Sequence, residues 1–327
     1  MAVSTGNKIN AYEFNLLQVR VSNILGNGFS QIGYGQAVSS SQVKPPSDYN
    51  TEDADIITAA QFNNLRSDIA KIYTHQNGTE LPIPQFDSSN IIGATQSGLS
   101  VSIDENNDVT VDPATAESLQ GFNSIISAVD LLEQNRFQVA ASQTVTDLLF
   151  QDSRETSFNG AVSTEFRLTF STADQRRYFF NSGGQIRIAG NATSLASSDR
   201  NAAWNDLLQD PGTVVFGYNY TRLPSEDTNG VSLSADTGNY QLTSNYQVIF
   251  EKQSDSAVYS ESYWQIEIKE NDSKSIDIKI TLVDPGEVNG EIEPVTANLE
   301  FDIEGRKASG VVQVDYPVYQ IISTFED

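Results

Sequence analysis

Cysteine is absent from the 327-residue sequence, and histidine occurs only once, at His75. Without cysteine, the chain has no disulfides, no thiolate metal sites and no cysteine nucleophile. A single histidine excludes two-histidine metal motifs, and a serine–histidine–aspartate triad would have to run through His75. This residue lies beside Gln76-Asn77-Gly78 at the end of a predicted helix, where a histidine interacts favourably with the helix C-terminus. We therefore predict a structural role for His75.

Basic residues are scarce: 19 lysines and arginines stand against 43 acidic residues, which gives a net charge of −24. Nucleic acids and anionic membranes both require clustered basic side chains, so we expect neither as a partner. Solubility and repulsion between unassembled subunits explain the charge, and the functional alternatives are divalent-cation binding or a basic partner. Met1 to Lys8 do not resemble a signal peptide, and no apolar run reaches the roughly 20 residues of a membrane helix. We expect a soluble protein made in a cytoplasm.

The first 135 residues have the apolar spacing of helices joined by polar, glycine-rich loops. An apolar face between Ile9 and Leu25 predicts the first helix. Thr58 and Gln61 form a capping-box pattern before the apolar stripe of a second helix, which should end at Gly78. Asp112-Pro113 is typical of a helix start and predicts a third helix.

Beyond residue 135 the period of the apolar residues changes from 3.6 to 2. The clearest hairpin joins Trp264–Ile268 to Ile276–Leu282 across a polar turn. Further strands are predicted at residues 166–170, 186–188, 214–216, 246–250, 299–303 and 312–316, with Gly305 and Pro317 as strand ends and one helix near 199–209. The predicted fold class is α+β: a helical, loop-rich region (1–135) followed by an antiparallel β-sandwich or barrel-like domain (136–327).

Three blocks of the sequence carry a resemblance to a known class of proteins. They are Gly33-Tyr34-Gly35-Gln36, Ile57–Ile69 with Thr74–Gly78, and Tyr178–Ile188 continued by Trp204–Leu208 and Gly212–Phe216. Together they resemble virion structural proteins of tailed phages, especially the contractile-tailed phages of marine cyanobacteria. The resemblance implies a tail, neck or baseplate component that is present in several copies and acts by protein–protein assembly. It implies no enzymatic activity, no catalytic residues and no cofactor.

The resemblance also implies that the partners are other virion proteins and copies of the same chain, and that the protein is located in the virion after synthesis in the host cytoplasm. Residues 27–56 have the composition of an extended arm without a fold of its own, and they carry apolar side chains. We predict that assembly buries this arm and part of the following helix, while the acidic β half faces outward. The candidate interface residues are Phe29, Ile32, Tyr34, Tyr49, Phe62, Arg176 and Arg177.

Two of these candidates, Arg176 and Arg177, are adjacent bases in an acidic chain. They would suit an acidic face of a neighbouring subunit, and local salt bridges are the alternative explanation. A few residues later, Gly183 and Gly184 follow an aromatic cluster and precede a short alternating strand. Because glycine alone has the backbone freedom that a sharp turn or close backbone approach needs, we predict one of these features there.

Other patterns that suggest chemistry favour structural explanations. Asp104–Asp108 begins like a calcium loop, but Val109 and Thr115 occupy the positions where that motif needs glycine and glutamate, so a turn explains it better. Trp204 and Trp264 would suit a sugar-binding platform, although their apolar neighbours favour the core. Two alternative functions remain open: the first is a host-surface glycan-binding fibre or adhesin, and the second, which is less favoured, is a polysaccharide depolymerase.

Overall fold

The computed structural model describes residues 11–45, 57–81, 101–103, 109–111, 122–193, 198–224, 229–285, 287–288 and 291–325. The chain forms two units: a helical unit, Met1–Thr144 with Ser309–Gln313, and a β unit, Val145–Ala308 with Val314–Asp327. The predicted α+β class, with helices followed by an antiparallel β domain, is confirmed. The chain first passes between the units at residues 144 and 145, whereas the sequence pattern places the boundary after residue 135.

Three helices build the described core of the helical unit: α1 (Ala11–Leu25), α2 (Ala59–Asn77) and α3 (Phe122–Gln134). The ring centroids of Phe14 and Phe62 lie 5.5 Å apart, and those of Phe62 and Phe122 lie 6.2 Å apart. The predicted capping box is present at the start of α2, where the Thr58 hydroxyl accepts from the Gln61 amide and the Gln61 side chain accepts from the Thr58 amide. Apolar stripes at helical spacing therefore meet in one shared core.

A short hairpin also belongs to the helical unit. Strands β1 (Val101–Ile103) and β2 (Val109–Val111) pair in antiparallel register, with Ile103 opposite Val109. The acidic stretch Asp104–Asp108, which the sequence predicts as a turn, lies outside the described residues, as does Asp112-Pro113.

The β unit contains thirteen strands and two helices among its described residues. These elements are β3 (Thr144–Arg154), β4 (Gly160–Thr169), α4 (Ala173–Asn181), β5 (Gln185–Thr193), α5 (Asp199–Gln209), β6 (Thr213–Phe216), β7 (Thr221–Arg222), β8 (Val231–Leu233), β9 (Gln247–Gln253), β10 (Tyr263–Asp272), β11 (Ser275–Asp284), β12 (Glu287–Val288), β13 (Glu291–Ile292), β14 (Asn298–Ala308) and β15 (Val318–Ser323). One large sheet has the order β15-β4-β11-β10-β9-β8, and the other has the order β3-β14-β5-β6-β7. Strands β12 and β13 pair only with each other in the described part of the chain.

Trp264 on β10 shows how the two large sheets pack face to face. Its ring lies 4.5 Å from that of Phe250 in its own sheet and 5.3 Å from that of Phe301 in the other. Its indole N–H donates to the Leu207 carbonyl at 2.9 Å, so its polar atom is satisfied inside the core. The predicted hairpin from β10 to β11 is present, with Ile268 opposite Ile278. The two sheets form a β-sandwich around this aromatic layer.

Two predictions about helices and strand ends in the β unit are wrong. The sequence predicts one inserted helix, whereas the described residues include a second, α4, which Thr172 caps by accepting from the Gln175 amide. Its aromatic residues have modest helix propensity, and they obscure the helical pattern. The predicted strand end at Gly305 is also wrong, because β14 continues to Ala308. A Cβ at Gly305 would lie 2.9 Å from the Tyr316 ring, so the glycine makes room for an aromatic side chain.

The predicted strand at 312–316 is displaced toward the C-terminus. The segment after β14 has one isolated bridge, between Ser309 and Gln313, and the strand β15 begins directly after Pro317. In β9 a bulge inserts Ile249 opposite the step from Ile266 to Glu267 of β10. A bulge reverses the alternation of side chains, which explains why Val248 is exposed while Phe250 is buried.

Candidate assembly surfaces

Phe29 is the predicted interface residue that the structure places most openly on a surface. Its side chain is 82% exposed at the start of a single 3₁₀ turn, Phe29–Gln31. The Phe29 amide donates to the Asn23 side chain at 3.0 Å, and the Tyr34 amide donates to the Ile24 carbonyl at 2.8 Å. The turn that presents Phe29 is therefore tied to the end of α1 on both sides.

The backbone of this turn adopts conformations that a side chain normally disfavours. Gly28 has φ 74°, and Gln31 has φ 65°, which is in the left-handed region. A non-glycine residue in that region costs free energy and persists only where its surroundings enforce it. At Gly33 a Cβ would lie 1.9 Å from the Gly26 carbonyl oxygen, so the two chain segments meet backbone to backbone. The turn is consequently a fixed support for the Phe29 ring.

Tyr34 and Phe62 lie inside the helical unit, so their prediction as interface residues is wrong. Tyr34 is fully buried: its hydroxyl donates to the Arg136 carbonyl and accepts from the Gln76 amide at 3.0 Å. Burial raises the pKa of the Tyr34 phenol. The ring of His75 lies 4.8 Å from that of Tyr34, and His75 is itself fully buried. Apolar packing and internal hydrogen bonds occupy the surfaces that an interface would need.

The segment 33–45 is extended, as predicted for an arm, but it has a fixed place in the helical unit. Both Asp68 carboxylate oxygens accept from the Ser39 amide at 3.0 Å, and one also accepts from the Ser40 amide at 2.7 Å. Asn15 forms two 2.8 Å hydrogen bonds with the backbone of Val43. The prediction that this part of the arm lacks its own packing is therefore wrong, because α1 and α2 satisfy its backbone groups.

Ile32 is half-buried beside the Phe29 turn, and Tyr49 lies outside the described residues.

Arg176 is only 3% exposed in the β unit, where it donates to the Asn239 side chain, the Glu270 carboxylate and the Asp272 carbonyl at 2.8–2.9 Å. Burial lowers the pKa of the Arg176 guanidinium, and Glu270 partly offsets this effect. Because its guanidinium is engaged internally, the prediction of Arg176 as a docking residue is wrong.

Arg177 forms the local salt bridge that the sequence offers as the alternative to docking. It lies one helical turn from Asp174, and the two side chains are 2.6 Å apart. After this helix, Gly183 has φ 84°, and the Gly184 amide donates to the Phe179 carbonyl at 2.9 Å. A Cβ at Gly184 would lie 2.4 Å from that carbonyl oxygen. The glycine pair therefore makes a sharp turn with a close backbone approach, which leads from α4 into β5.

Exposed apolar side chains also lie on two edge strands of the β-sandwich, and the sequence patterns described above do not predict them. Val145 and Leu148 on β3 and Val318, Tyr319, Ile321 and Ile322 on β15 have exposed fractions from 42% to 72%, and successive side chains on each strand point to opposite faces. The two strands belong to different sheets and contact each other, since the rings of Phe150 on β3 and Tyr319 on β15 are 5.3 Å apart. Both are edge strands of their sheets among the described residues.

The described residues contain no group of three or more histidine, aspartate or glutamate side chains able to hold a metal ion. An open depression of about 450 Å³ adjoins α3, but its acidic residues Asp130 and Glu133 form ion pairs with Arg20. Trp204 and Trp264 are fully buried, so neither offers a platform for a sugar.

No helix in the described part of the chain combines the length and apolar character needed to cross a membrane. The sequence matches no known protein-family model, no curated protein and no solved structure at a significant level.

Proposed function

We propose that this chain is a structural component of a phage virion, in the tail, neck or baseplate, and that it acts by protein–protein assembly rather than by catalysis. The three sequence blocks that resemble phage virion proteins support the phage context. The 82% exposed Phe29 on its fixed turn carries the assembly proposal. The proposed partners are other virion proteins and copies of the chain, and the proposed location is the virion.

The geometry of Phe29 suits a contact residue. Aromatic side chains supply much of the binding free energy at protein interfaces when they enter a pocket of the partner. Ordering a flexible loop would reduce that gain, but the turn is already fixed by hydrogen bonds to Asn23 and Ile24. An exposed phenylalanine in a strained turn contributes little to the stability of the monomer. Burial of the same ring against a neighbouring subunit would contribute binding free energy.

The test is incorporation of variants into particles of a phage that carries this gene. Phe29→Ser should weaken docking by about 2 kcal/mol or more, the range of an interface hot spot. The copy number per particle, measured by quantitative mass spectrometry, should fall at least several-fold. Phe29→Leu should retain most of the copies because it keeps an apolar side chain. Tyr12→Ser is the matched control, since Tyr12 is 58% exposed on α1 away from the turn.

Circular dichroism should show that all three variants keep the wild-type helix content. Normal incorporation of the folded Phe29→Ser protein would refute the role of Phe29. Equal losses for the Phe29→Ser and Tyr12→Ser proteins would also refute it, because the effect would then not be specific to the turn.

Glycan binding by a fibre or adhesin is the second candidate, and one observation favours it. The rings of Tyr218 and Tyr240 lie 4.3 Å apart, and Tyr240 is 39% exposed with its hydroxyl 3.2 Å from the Asn181 side chain. A partly exposed aromatic pair beside an amide group offers both apolar contact and hydrogen bonding to a sugar. A glycan array probed with the wild-type and Tyr240→Ala proteins tests this function, which predicts a signal that the variant loses.

A further inference from the structure

We propose that two copies of this chain pair through strand β15, edge to edge and antiparallel about a two-fold axis, so that their two six-stranded sheets become continuous. The proposal rests on the proposed function, because it specifies one way in which the chain assembles. It concerns the β unit alone and is independent of Phe29.

The first argument is the open edge of β15. Within the described residues β15 pairs with β4 on one side, with Val318 opposite Thr169 and Ile321 opposite Phe166, and has no strand on the other. An unpaired edge presents backbone donors and acceptors to any extended chain that approaches. Among the other edge strands, β7 and β8 have only two and three residues, and β3 has eleven but includes charged side chains, whereas β15 has six uncharged residues.

The second argument is that β15 lacks most of the features that protect edges. From Val318 to Ser323 it contains no lysine, no other charged residue and no proline. A bulge between Ile321 and Ser323 ends its regular pairing, so residues 318–321 form the usable ladder. Val318 is 72% exposed, and Tyr319 and Ile321 are each 48% exposed. Natural edge strands of this kind are normally covered.

Charge limits where a second copy can bind, and the edge of β15 satisfies that limit. The net charge of −24 makes two copies repel each other over most of their surfaces. The uncharged strand β15 is a place where two such copies can meet without bringing acidic side chains together. A basic partner would instead be attracted to the acidic surfaces, and β15 offers it no carboxylate.

The sequence of β15 also suits pairing with itself. If the two-fold axis passes through Gln320, Tyr319 of one copy lies opposite Ile321 of the other, and this aromatic and β-branched pair is favourable across strands. The two Gln320 side chains then face each other across the axis and carry no charge. Such an interface is isologous, because the same strand contributes to both sides.

The absence of cysteine permits a direct test by crosslinking. Residues directly opposite in an antiparallel pair have Cα atoms about 4.5–5.5 Å apart, which is within the range of a disulfide. Under mild oxidation Gln320→Cys should give a covalent dimer on a non-reducing gel. The matched control is Ser232→Cys, an exposed position on the opposite edge strand β8, which should form no covalent dimer and should run as a single chain on the same gel. Light scattering should give the wild-type protein twice the 35.8 kDa chain mass.

A second variant distinguishes pairing through β15 from other modes of association. Gln320→Lys places like charges opposite each other at an exposed position that leaves the core intact, so the dimer dissociation constant should rise at least tenfold. Thermal unfolding should be unchanged at concentrations low enough for both proteins to be monomeric. A wild-type monomer at all concentrations, equal crosslinking of both cysteine variants, or a dimer unaffected by Gln320→Lys would each overturn the proposal. A dimer that persists in Gln320→Lys leaves the assembly function standing, whereas absence of the chain from purified particles refutes that function itself.

Discussion

Replacing Asp68 with alanine should loosen the segment 33–45 from the helical unit. Asp68 is completely buried, and its carboxylate accepts three hydrogen bonds from the Ser39 and Ser40 amides. The Asp68→Ala protein leaves both N–H groups without this acceptor. A buried donor without a partner costs about 1–3 kcal/mol, and the Ser39 amide is only partly buried, so we expect a total of about 2–4 kcal/mol.

Hydrogen exchange measured by mass spectrometry is the suitable assay, because it reports the opening of one segment rather than unfolding of a two-unit protein. Since each 1.4 kcal/mol is a factor of ten, peptides from residues 37–45 should exchange roughly 30- to 1,000-fold faster in the Asp68→Ala protein. Asp68→Asn keeps one acceptor oxygen and presents an amide donor in place of the other. Its effect should therefore be intermediate.

Asp130→Ala is the matched control, because it removes the same charge from the same unit. The Asp130 side chain is 52% exposed, and Arg20 keeps its second ion pair with Glu133, so the change should cost less than about 1 kcal/mol. Unchanged exchange in residues 37–45 of the Asp68→Ala protein would refute the claim that Asp68 holds this segment. An equal acceleration in the Asp130→Ala protein would show that the effect is a general consequence of lost charge.

Two further predictions concern the β unit. Gly184→Ala forces a Cβ against the Phe179 carbonyl and should cost about 1–3 kcal/mol, measured as a lower unfolding temperature by calorimetry; an unchanged temperature contradicts this. Burial raises the pKa of Tyr316 to about 12 in the folded chain, above about 10 for an unfolded tyrosine, so its contribution to stability is complete below pH 10 and is lost as the pH rises through 12. Ultraviolet titration of the phenols should show a late-titrating group that the Tyr316→Phe protein lacks, and identical titration curves would contradict the assignment.

Local signals in the sequence predict much of the secondary structure. The capping pattern of Thr58 and Gln61 identifies the start of α2, because both hydrogen bonds form within one turn of the chain. The alternation on both sides of the turn at Ser273-Lys274 identifies the hairpin from β10 to β11. Such features depend on residues close in sequence, so a single chain is enough to reveal them.

Features that depend on distant residues are not predictable in this way. Gly305 is typical of a strand end, yet β14 passes through it. The position is glycine because a Cβ there would collide with the ring of Tyr316, which is distant in sequence. Val248 and Phe250 have strand spacing, but a bulge opposite β10 places them on different faces. In both cases a tertiary contact decides the outcome.

The candidate surfaces show the same limit. Apolar composition selects Phe29 and Tyr34 equally, but one ring is on the surface and the other is fully buried against His75. The uncharged run from Val318 to Ile322 is visible in the sequence, but the predicted strand ends at Pro317, just before it. Its importance comes from its place at the edge of a sheet, which only the topology reveals.

The most direct test of the assembly function is a copy count of this chain in gradient-purified particles of a phage that carries its gene. Quantitative mass spectrometry after a high-salt wash separates stable components from loosely attached protein, because screening removes contacts that depend on surface charge alone. The proposed function predicts several copies per particle in a constant ratio to the capsid protein. Recovery of the chain only in the soluble fraction of the lysate, with none in washed particles, would contradict it.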